Sequence, residues 1–523
     1  MTSIIKLKLS QIRFVIVIVM IPVLANCTDL DQDAELETAE NLLSEAQTKT
    51  KTEVVAPNVL ILIADDLGVE QLASFGIGTQ PANTPNLDML AQQGMSFSNV
   101  WSQPICSPTR ATLLTGRYGF RTGIGMATQE RFGGEYPEFE RADNDEPDMS
   151  IFGNMPNKPV EVYEDLGPVF QTFRSYYVNN DGSLGGPPFP SSYGLKLNEL
   201  GLPAVLKSSI SKYATAAIGK WHLADTRNGW LQHPSNIGFE YYSINMLNQP
   251  ESFFGWFENV NGVIEEHTGY TPEKKVDNAI NWLNGQNDNN PWFLWLAFNL
   301  PHYPHHIPEV EGLDTSGIDP EDPRSTLDVM TARLDQEIGR LLEAIDEEEL
   351  ENTIVIVIGD NGTTGEANDP PFHPDRGKFT LYEGGIRVPL IITGPGIPVG
   401  EQSSVMVNST DLFATLIELT GSEFPEGLVH DSISLTPYFD YPSADSIREY
   451  MYADAFYEGS GIEEGAFAIR DDSYKLIRWH DHQELYDLNI DPYENSNLLL
   501  DGESEEEILI IKALENRINQ LRN

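Results

Sequence analysis

The chain has 523 residues, enough for one large domain with a smaller companion or for two to three ordinary domains. Hydrophobic residues make up 40%, with 8 Trp, so a sizeable core is available. With 32 basic residues against 80 acidic, the net charge is −48, which argues against nucleic acid and anionic membrane surfaces as partners and makes any basic residue in a cleft informative.

At the N-terminus, Lys6, Lys8 and Arg13 precede an apolar run from Phe14 to Ala25. The run is too short for a membrane span with these flanks and fits the apolar centre of a secretory leader. Leu24-Ala25-Asn26-Cys27 resembles a bacterial lipobox, with Asn26 in place of the usual Gly or Ala. Residues 1–27 are therefore expected to be a leader of the lipoprotein type. The protein is then exported to the periplasm or cell surface, with a possible outer-membrane lipid anchor at Cys27. Residues 28–55, rich in Asp, Glu, Thr, Gln and Ala, read as a solvated acidic tether. Lipidation of Cys27 would leave Cys106 as the only free thiol of an exported protein, an arrangement that calls for a reason.

The folded part starts near Pro57. Asn58-Val59-Leu60-Ile61-Leu62-Ile63-Ala64 is a continuous apolar run of strand length, the pattern of a parallel strand covered on both faces. It ends in Asp65-Asp66. Residues 353–358 repeat the pattern and end in Gly359-Asp360-Asn361-Gly362. Open α/β sheets place their ligands at such strand ends, and hard divalent cations take such oxygen donors. A single acidic strand end is often only turn chemistry; two together make Asp65, Asp66, Asp360 and Asn361 a candidate metal site. A helix is expected to open at Thr84-Pro85.

Cys106-Ser107-Pro108-Thr109-Arg110 follows, with an apolar run and Gly116 behind it. Pro108 reads as the first residue of a short helix with a glycine stop. That places Cys106 at a helix N-terminus, where negative charge is favoured. Arg110, one turn on, carries a fork suited to an oxyanion. Alone, Cys106 would read as a buried small hydrophobe. Residues 127–195 are polar, rich in Gly, Pro, Asp and Asn, and read as an insertion near the cleft mouth.

Gly201 to Tyr213 is expected to be helical and Tyr213 to Ile218 a strand, leading into Gly219-Lys220-Trp221-His222. On an extended segment Lys220 and His222 would point to one side. Residues 291–298 read as another buried strand, ending in Pro301-His302-Tyr303-Pro304-His305-His306. Three His in five residues do not complete a zinc site without a nearby partner. Leu327 to Leu350 is expected to be one amphipathic helix. Lys378 lies in Arg376-Gly377-Lys378, ahead of a strand at 390–394 and a helix at 411–416. From about 430 the pattern changes: 467–470, 474–478 and 484–488 read as a small antiparallel sheet, followed by a final helix near 504–521.

Cys-x-Pro-x-Arg with Leu113-Leu114-Thr115-Gly116-Arg117, together with Gly219-Lys220-Trp221-His222-Leu223, resembles the signatures of the type I sulfatases, formylglycine-dependent members of the alkaline phosphatase-like superfamily. The resemblance spans about residues 56 to 500. It implies an α/β fold: a large mixed central sheet sandwiched by helices, plus a small C-terminal α+β subdomain with an antiparallel sheet. The expected domains are 56–430, catalytic, with the insertion at 127–195, and 431–523, C-terminal. It implies a sulfuric ester hydrolase in which Cys106 becomes formylglycine, through a formylglycine-generating maturase. Asp65, Asp66, Asp360, Asn361 and the modified Cys106 bind one divalent cation, Ca²⁺ ahead of Mg²⁺. Lys220, Lys378 and Arg110 stabilise the ester oxygens, His222 assists the modified residue, and His302 protonates the leaving alcohol. Export and the insertion favour sulfated polysaccharides or their oligosaccharides as substrates. The alternatives are a phosphatase or phosphonate monoester hydrolase of the same superfamily, or a catalytically silent, glycan-binding surface lipoprotein.

Overall fold

Six consecutive apolar residues with no charge, Val59 to Ala64, can only be a strand if both faces are covered, and the first strand, β1 (Asn58–Ala64), is buried throughout. The computed structural model describes residues 56–128, 194–224, 228–246, 253–286, 290–308, 313–456 and 465–522. The leader, the tether and all but the ends of the expected insertion lie outside the described residues.

The strands that follow are β2 (Met95–Phe97), β3 (Val100–Trp101), β4 (Ala214–Lys220), β5 (Tyr241–Asn245), β6 (Gly255–Val260), β7 (Val263–Thr268) and β8 (Trp292–Ala297). After them come β9 (Thr353–Gly359), β10 (Leu390–Thr393), β11 (Glu401–Ser403) and β12 (Val407–Asn408). Ten of these form one mixed sheet in the order β11-β2-β10-β9-β1-β8-β4-β5-β6-β7, and β12 pairs with β3 separately. From β9 to β5 the pairing is parallel, while β10 runs antiparallel to both β9 and β2.

Alternation along β1 sorts the core into two layers. Val59, Ile61 and Ile63 pack on one face with Ala111, Leu113 and Leu114 of the Cys106–Thr115 helix and Leu412, Phe413 and Leu416 of the Asp411–Leu419 helix. Leu60 and Leu62 pack on the other with Leu87, Val276, Met330, Leu334 and Ile338. Each fully buried Leu or Ile contributes about 1.5–3 kcal/mol. No helix among the described residues is long and apolar enough to cross a membrane.

A second sheet, β13 (Met451–Ala455), β14 (Ala466–Arg470), β15 (Tyr474–Arg478) and β16 (Gln483–Asp487), is antiparallel in that order. The terminal helix Glu505–Arg522 buries Ile511, Leu514 and Ile518 against it. The fold class is the one expected; the individual elements differ from the expected ones in several places. The expected three-stranded sheet has a fourth strand, β13. The polar hairpin of β6 and β7 was not expected, because an edge strand such as β7 is largely exposed and carries no apolar run. The helix expected over 327–350 runs Pro323–Glu343, started by Asp322, whose side chain accepts from the N–H groups of Arg324 and Ser325, and a separate turn covers Glu347–Glu351. The helix expected over 201–213 stops at Ser208.

The parallel pairing gathers distant chain segments. The C-terminal ends of β1, β4, β8 and β9 share one edge of the sheet. Antiparallel β10 begins there, and β2 ends there, since Leu390 pairs with both Phe97 and Ile358.

Candidate active site

At that edge the ends of β1 and β9 lock to each other. Asp360 donates its backbone N–H to the Ala64 carbonyl at 3.0 Å, and Asp66 donates its own to Asp360 Oδ1 at 3.1 Å. Asp66 has a left-handed backbone, φ 70, which Asp tolerates better than most residues. Asn361 Nδ2 donates to Asp66 Oδ1 at 2.8 Å. Asp66 Oδ2 and Asn361 Oδ1 are left buried with no hydrogen-bond partner.

Cationic side chains close over this acidic floor. Lys220, the last residue of β4, donates to both oxygens of Asp65 at 2.8 and 2.6 Å. Lys378 reaches Asp66 Oδ1 at 2.5 Å. Arg110 donates to Asp360 Oδ2 at 2.9 Å and to the Lys220 carbonyl at 3.0 Å. His302, past the end of β8, places Nε2 3.9 Å from Asp66 Oδ2 and donates from Nδ1 to the Tyr303 carbonyl at 2.6 Å. Asp65, Cys106 and Asp360, and likewise Asp65, Asp66 and His302, each bring ligand atoms within 4.8 Å of one another. Carboxylates and a histidine are thus placed to hold a metal ion, and the orphaned oxygens of Asp66 and Asn361 fit a hard cation.

Cys106 begins its helix, capped by Ile105, so Pro108 is the third helical residue rather than the first. Its Sγ lies 3.1 Å from His222 Nδ1. His222 is not on an extended segment: its φ is 53, and this kink, not strand alternation, brings it to Cys106. His222 Nε2 lies 2.9 Å from the Thr128 carbonyl, which can only accept. Burial, then Lys220 and Arg110, hold His222 well below its ordinary pKa, so the ring is neutral. Its proton therefore sits on Nε2, and bare Nδ1 accepts from the Cys106 thiol. Burial also pushes that thiol up, against the pull of Lys220 and Lys378. The helix N-terminus does not make the unmodified Cys106 a thiolate.

Burial and the Lys378 charge keep His302 well below its usual range, with Asp66 opposing. Burial works to raise Asp66, but Lys378 and His302 hold it below the usual carboxylate value. Burial and the neighbouring Asp65 push Asp360 up to about 6, against Arg110.

Every residue expected at the site is therefore here: Asp65, Asp66, Cys106, Arg110, Lys220, His222, His302, Asp360, Asn361 and Lys378. Three supporting residues were not foreseen. Ser107 donates to the His222 carbonyl at 2.7 Å and accepts from Thr128 N–H at 3.0 Å, fixing the His222 main chain and one partner of its ring. Phe379, at φ 71, donates its N–H to the Pro104 carbonyl at 2.9 Å and packs its ring 5.2 Å from the Lys378 ammonium. Ser107 stood inside the cysteine motif, but the conformations of Phe379 and Thr128 leave no mark in composition or spacing.

A family model described as Sulfatase matches residues 57–152 and 168–422. The chain belongs to the sulfatase family. A model described as N-sulphoglucosamine sulphohydrolase, C-terminal, matches residues 375–523 of this sulfatase. A protein named Sulfatase from Formosa agariphila is 26% identical over 524 residues, covering 91% of this chain and 90% of the relative. An ulvan-active sulfatase of the same organism is 25% identical over 472 residues, covering 86% and 78%. The crystal structure of Ps i-CgsB in complex with k-i-k-neocarrahexaose superposes with a TM-score of 0.67 at 23% identity, covering 89% of this chain and 93% of that one. The sulfatase shares with it the alkaline phosphatase-like fold.

Proposed function

We propose that this sulfatase removes sulfate esters from polysaccharides or their oligosaccharides, using a formylglycine made from Cys106 and one divalent cation, Ca²⁺ ahead of Mg²⁺. The observation that carries the reading is the convergence of Cys106, His222, three carboxylates and three cationic side chains on one buried strand edge, with Asp66 Oδ2 and Asn361 Oδ1 left for a further partner. The substrate class rests on two relatives, one named as ulvan-active and the other solved with a neocarrahexaose.

Asp65, Asp66, Asp360 and Asn361 would hold the cation, which when bound lowers the pKa of an oxygen nucleophile and polarises the ester. Formylglycine at position 106 supplies an aldehyde hydrate directed at sulfur. Lys220, Lys378 and Arg110 then face the ester oxygens, where fixed cations in a dry site act most strongly on developing charge. Three carboxylates against three cationic side chains cancel formally, so a divalent cation would bring a surplus of positive charge that a sulfate ester, a monoanion, would partly offset. His222, with its proton held at Nε2 by the Thr128 carbonyl, offers Nδ1 to take a proton from residue 106. His302 has its Nδ1 proton committed to Tyr303, so the proton for the leaving alcohol comes from Nε2 of the imidazolium. An anionic ester favours that form. Export, the Cys27 anchor, the tether and the division into 56–430 and 431–523 complete the proposal.

The test is co-expression with a formylglycine-generating enzyme, the mass of the Cys106 peptide, and release of inorganic sulfate and phosphate from matched panels that include ulvan and carrageenan oligosaccharides. An aldehyde at position 106 with sulfate release alone is expected. A retained thiol, or phosphate release as the dominant activity, overturns the reading.

A further inference from the structure

Four residues past Asp66 stands a fully buried carboxylate, Glu70, that the mechanism does not use. Its Oε1 accepts from the Thr363 hydroxyl and from Gln71 Nε2, the latter at 3.0 Å. The Thr363 hydroxyl in turn accepts from Gly68 N–H at 3.2 Å and from Gln71 Nε2 at 3.3 Å. Gly68 belongs to the turn that follows Asp65 and Asp66, and Thr363 to the turn that follows Asp360 and Asn361. The main chain of Thr363 has a further contact: its carbonyl accepts from Lys378 N–H at 2.8 Å. One residue thus touches both candidate ligand turns and the loop that carries the sulfate-facing lysine.

Gly68 shows how close the fit is. Its backbone, φ −76 and ψ 159, is ordinary extended chain that any residue adopts. Yet a Cβ there would fall 2.3 Å from Glu70 Oε2. A side chain at 68 would have to displace the carboxylate, although the turn itself would accept one. Glu70 Oε2 and Gln71 Oε1 have no hydrogen-bond partner, so the cluster carries the desolvation cost of two buried unpaired groups. An apolar plug would avoid that cost but could not fix the two turns directionally. Burial pushes the Glu70 carboxyl up, which limits the charge it adds beneath an already acidic floor.

We propose that Thr363 and Glu70 are positioning residues for the cation, a hydroxyl–carboxyl brace that sets the spacing between the Asp65–Asp66 turn and the Asp360–Asn361 turn. The inference rests on the cation reading given above. Its test is calorimetric titration of Ca²⁺, and separately Mg²⁺, into the metal-stripped full-length protein, with melting temperatures measured in chelator. Thr363→Val keeps shape and removes the hydroxyl; its dissociation constant should rise about 10–100-fold, as for other groups that orient metal ligands. Thr363→Ser, which restores the hydroxyl, should return close to wild type. A Thr363→Val protein that melts earlier in chelator but binds the ion as tightly as wild type overturns the brace alone. A wild-type protein that takes up neither ion overturns the cation reading and the brace with it. If Thr363→Val does not fold, Gly68→Ala takes its place: it keeps every candidate ligand, suits the backbone and pushes Glu70 aside. The same weakening supports the brace, and unchanged affinity overturns it.

Discussion

Two buried ionic clusters each set carboxylates against cationic side chains. In one, Asp65, Asp66 and Asp360 meet Arg110, Lys220 and Lys378 at the edge of the central sheet. In the other, Lys475 of β15 sits 3.1 Å from Glu383 and 2.7 Å from Glu494, with its ammonium 4.6 Å from the centre of the Trp101 ring. Trp101 Nε1 donates to Glu383 at 3.0 Å, and Glu383 N–H donates to Glu494 at 2.6 Å. Burial and the Glu383 charge push Glu494 up to about 7, against the pull of Lys475. The second cluster ties β3, the segment after Lys378 and the C-terminal sheet together, and although Glu383 Oε2 accepts no hydrogen bond there, it lies 3.9 Å from Arg387 Nη1. The first leaves Asp66 Oδ2 and Asn361 Oδ1 without hydrogen-bond partners at the ends of the adjacent strands β1 and β9. Neither buried charge nor a lone unpaired oxygen therefore marks a functional site; unpaired oxygens gathered at the ends of adjacent parallel strands do.

The comparison predicts opposite failures. The largest effect belongs to Cys106→Ala, which should keep the melting temperature near wild type and lower kcat for sulfate release by roughly 10⁴-fold or more. Turnover within tenfold of wild type would remove Cys106 from the mechanism. Lys378→Ala should cost about 10²–10³ in kcat, the scale of one lost donor to a developing oxyanion. Lys475→Met should do the reverse. It strands Glu383 and Glu494, costing about 3–5 kcal/mol of stability in a denaturant titration while kcat per folded molecule changes little. If the Lys475 variant folds stably and loses turnover as Lys378→Ala does, the two clusters are one machine and the contrast fails.

Only one of these clusters was legible in the sequence. Asp65, Asp66, Asp360 and Asn361 stand at the ends of continuous apolar runs, and the run length forces a buried parallel strand whose C-terminal end is a ligand edge. Cys106, Lys220 and His222 came with motifs. Glu383, Lys475 and Glu494 carry no such signal. Each is a lone charged residue in a loop, a one-turn helix or a short alternating strand, where a solvated face is the ordinary expectation. Their meeting depends on how the four-stranded sheet docks, a tertiary fact. The same holds for Glu70 and Thr363, 293 residues apart, and for the left-handed turn at His222. Chain-local patterns located the strand ends; long-range docking decided which loop residues support them.

Asp454 on β13 gives the smallest and most specific test, because it is a buried carboxylate on the structural side that still touches the catalytic loop. Its backbone N–H donates to Gln103 Oε1 at 3.0 Å, and its Oδ2 accepts from Phe120 N–H at 2.9 Å and from the Tyr452 hydroxyl at 3.2 Å. Burial pushes its carboxyl up to about 7, against the pull of Arg522 and the Phe120 N–H. An unfolded Asp titrates near about 3.9, so between roughly pH 4 and pH 7 the folded protein keeps a proton that the unfolded chain has lost. The native state then binds more protons than the unfolded state, and stability must fall as pH rises through that window. Asp454→Asn keeps the shape and an acceptor for Phe120 but cannot titrate. Across that pH window the wild-type melting temperature should drop relative to the variant, while the pH profile of kcat should be the same for both. A pH-independent difference in melting temperature would show that Asp454 titrates normally. A shifted kcat profile would show that its protonation reaches the Cys106 loop through Gln103, joining the two regions that the comparison separates.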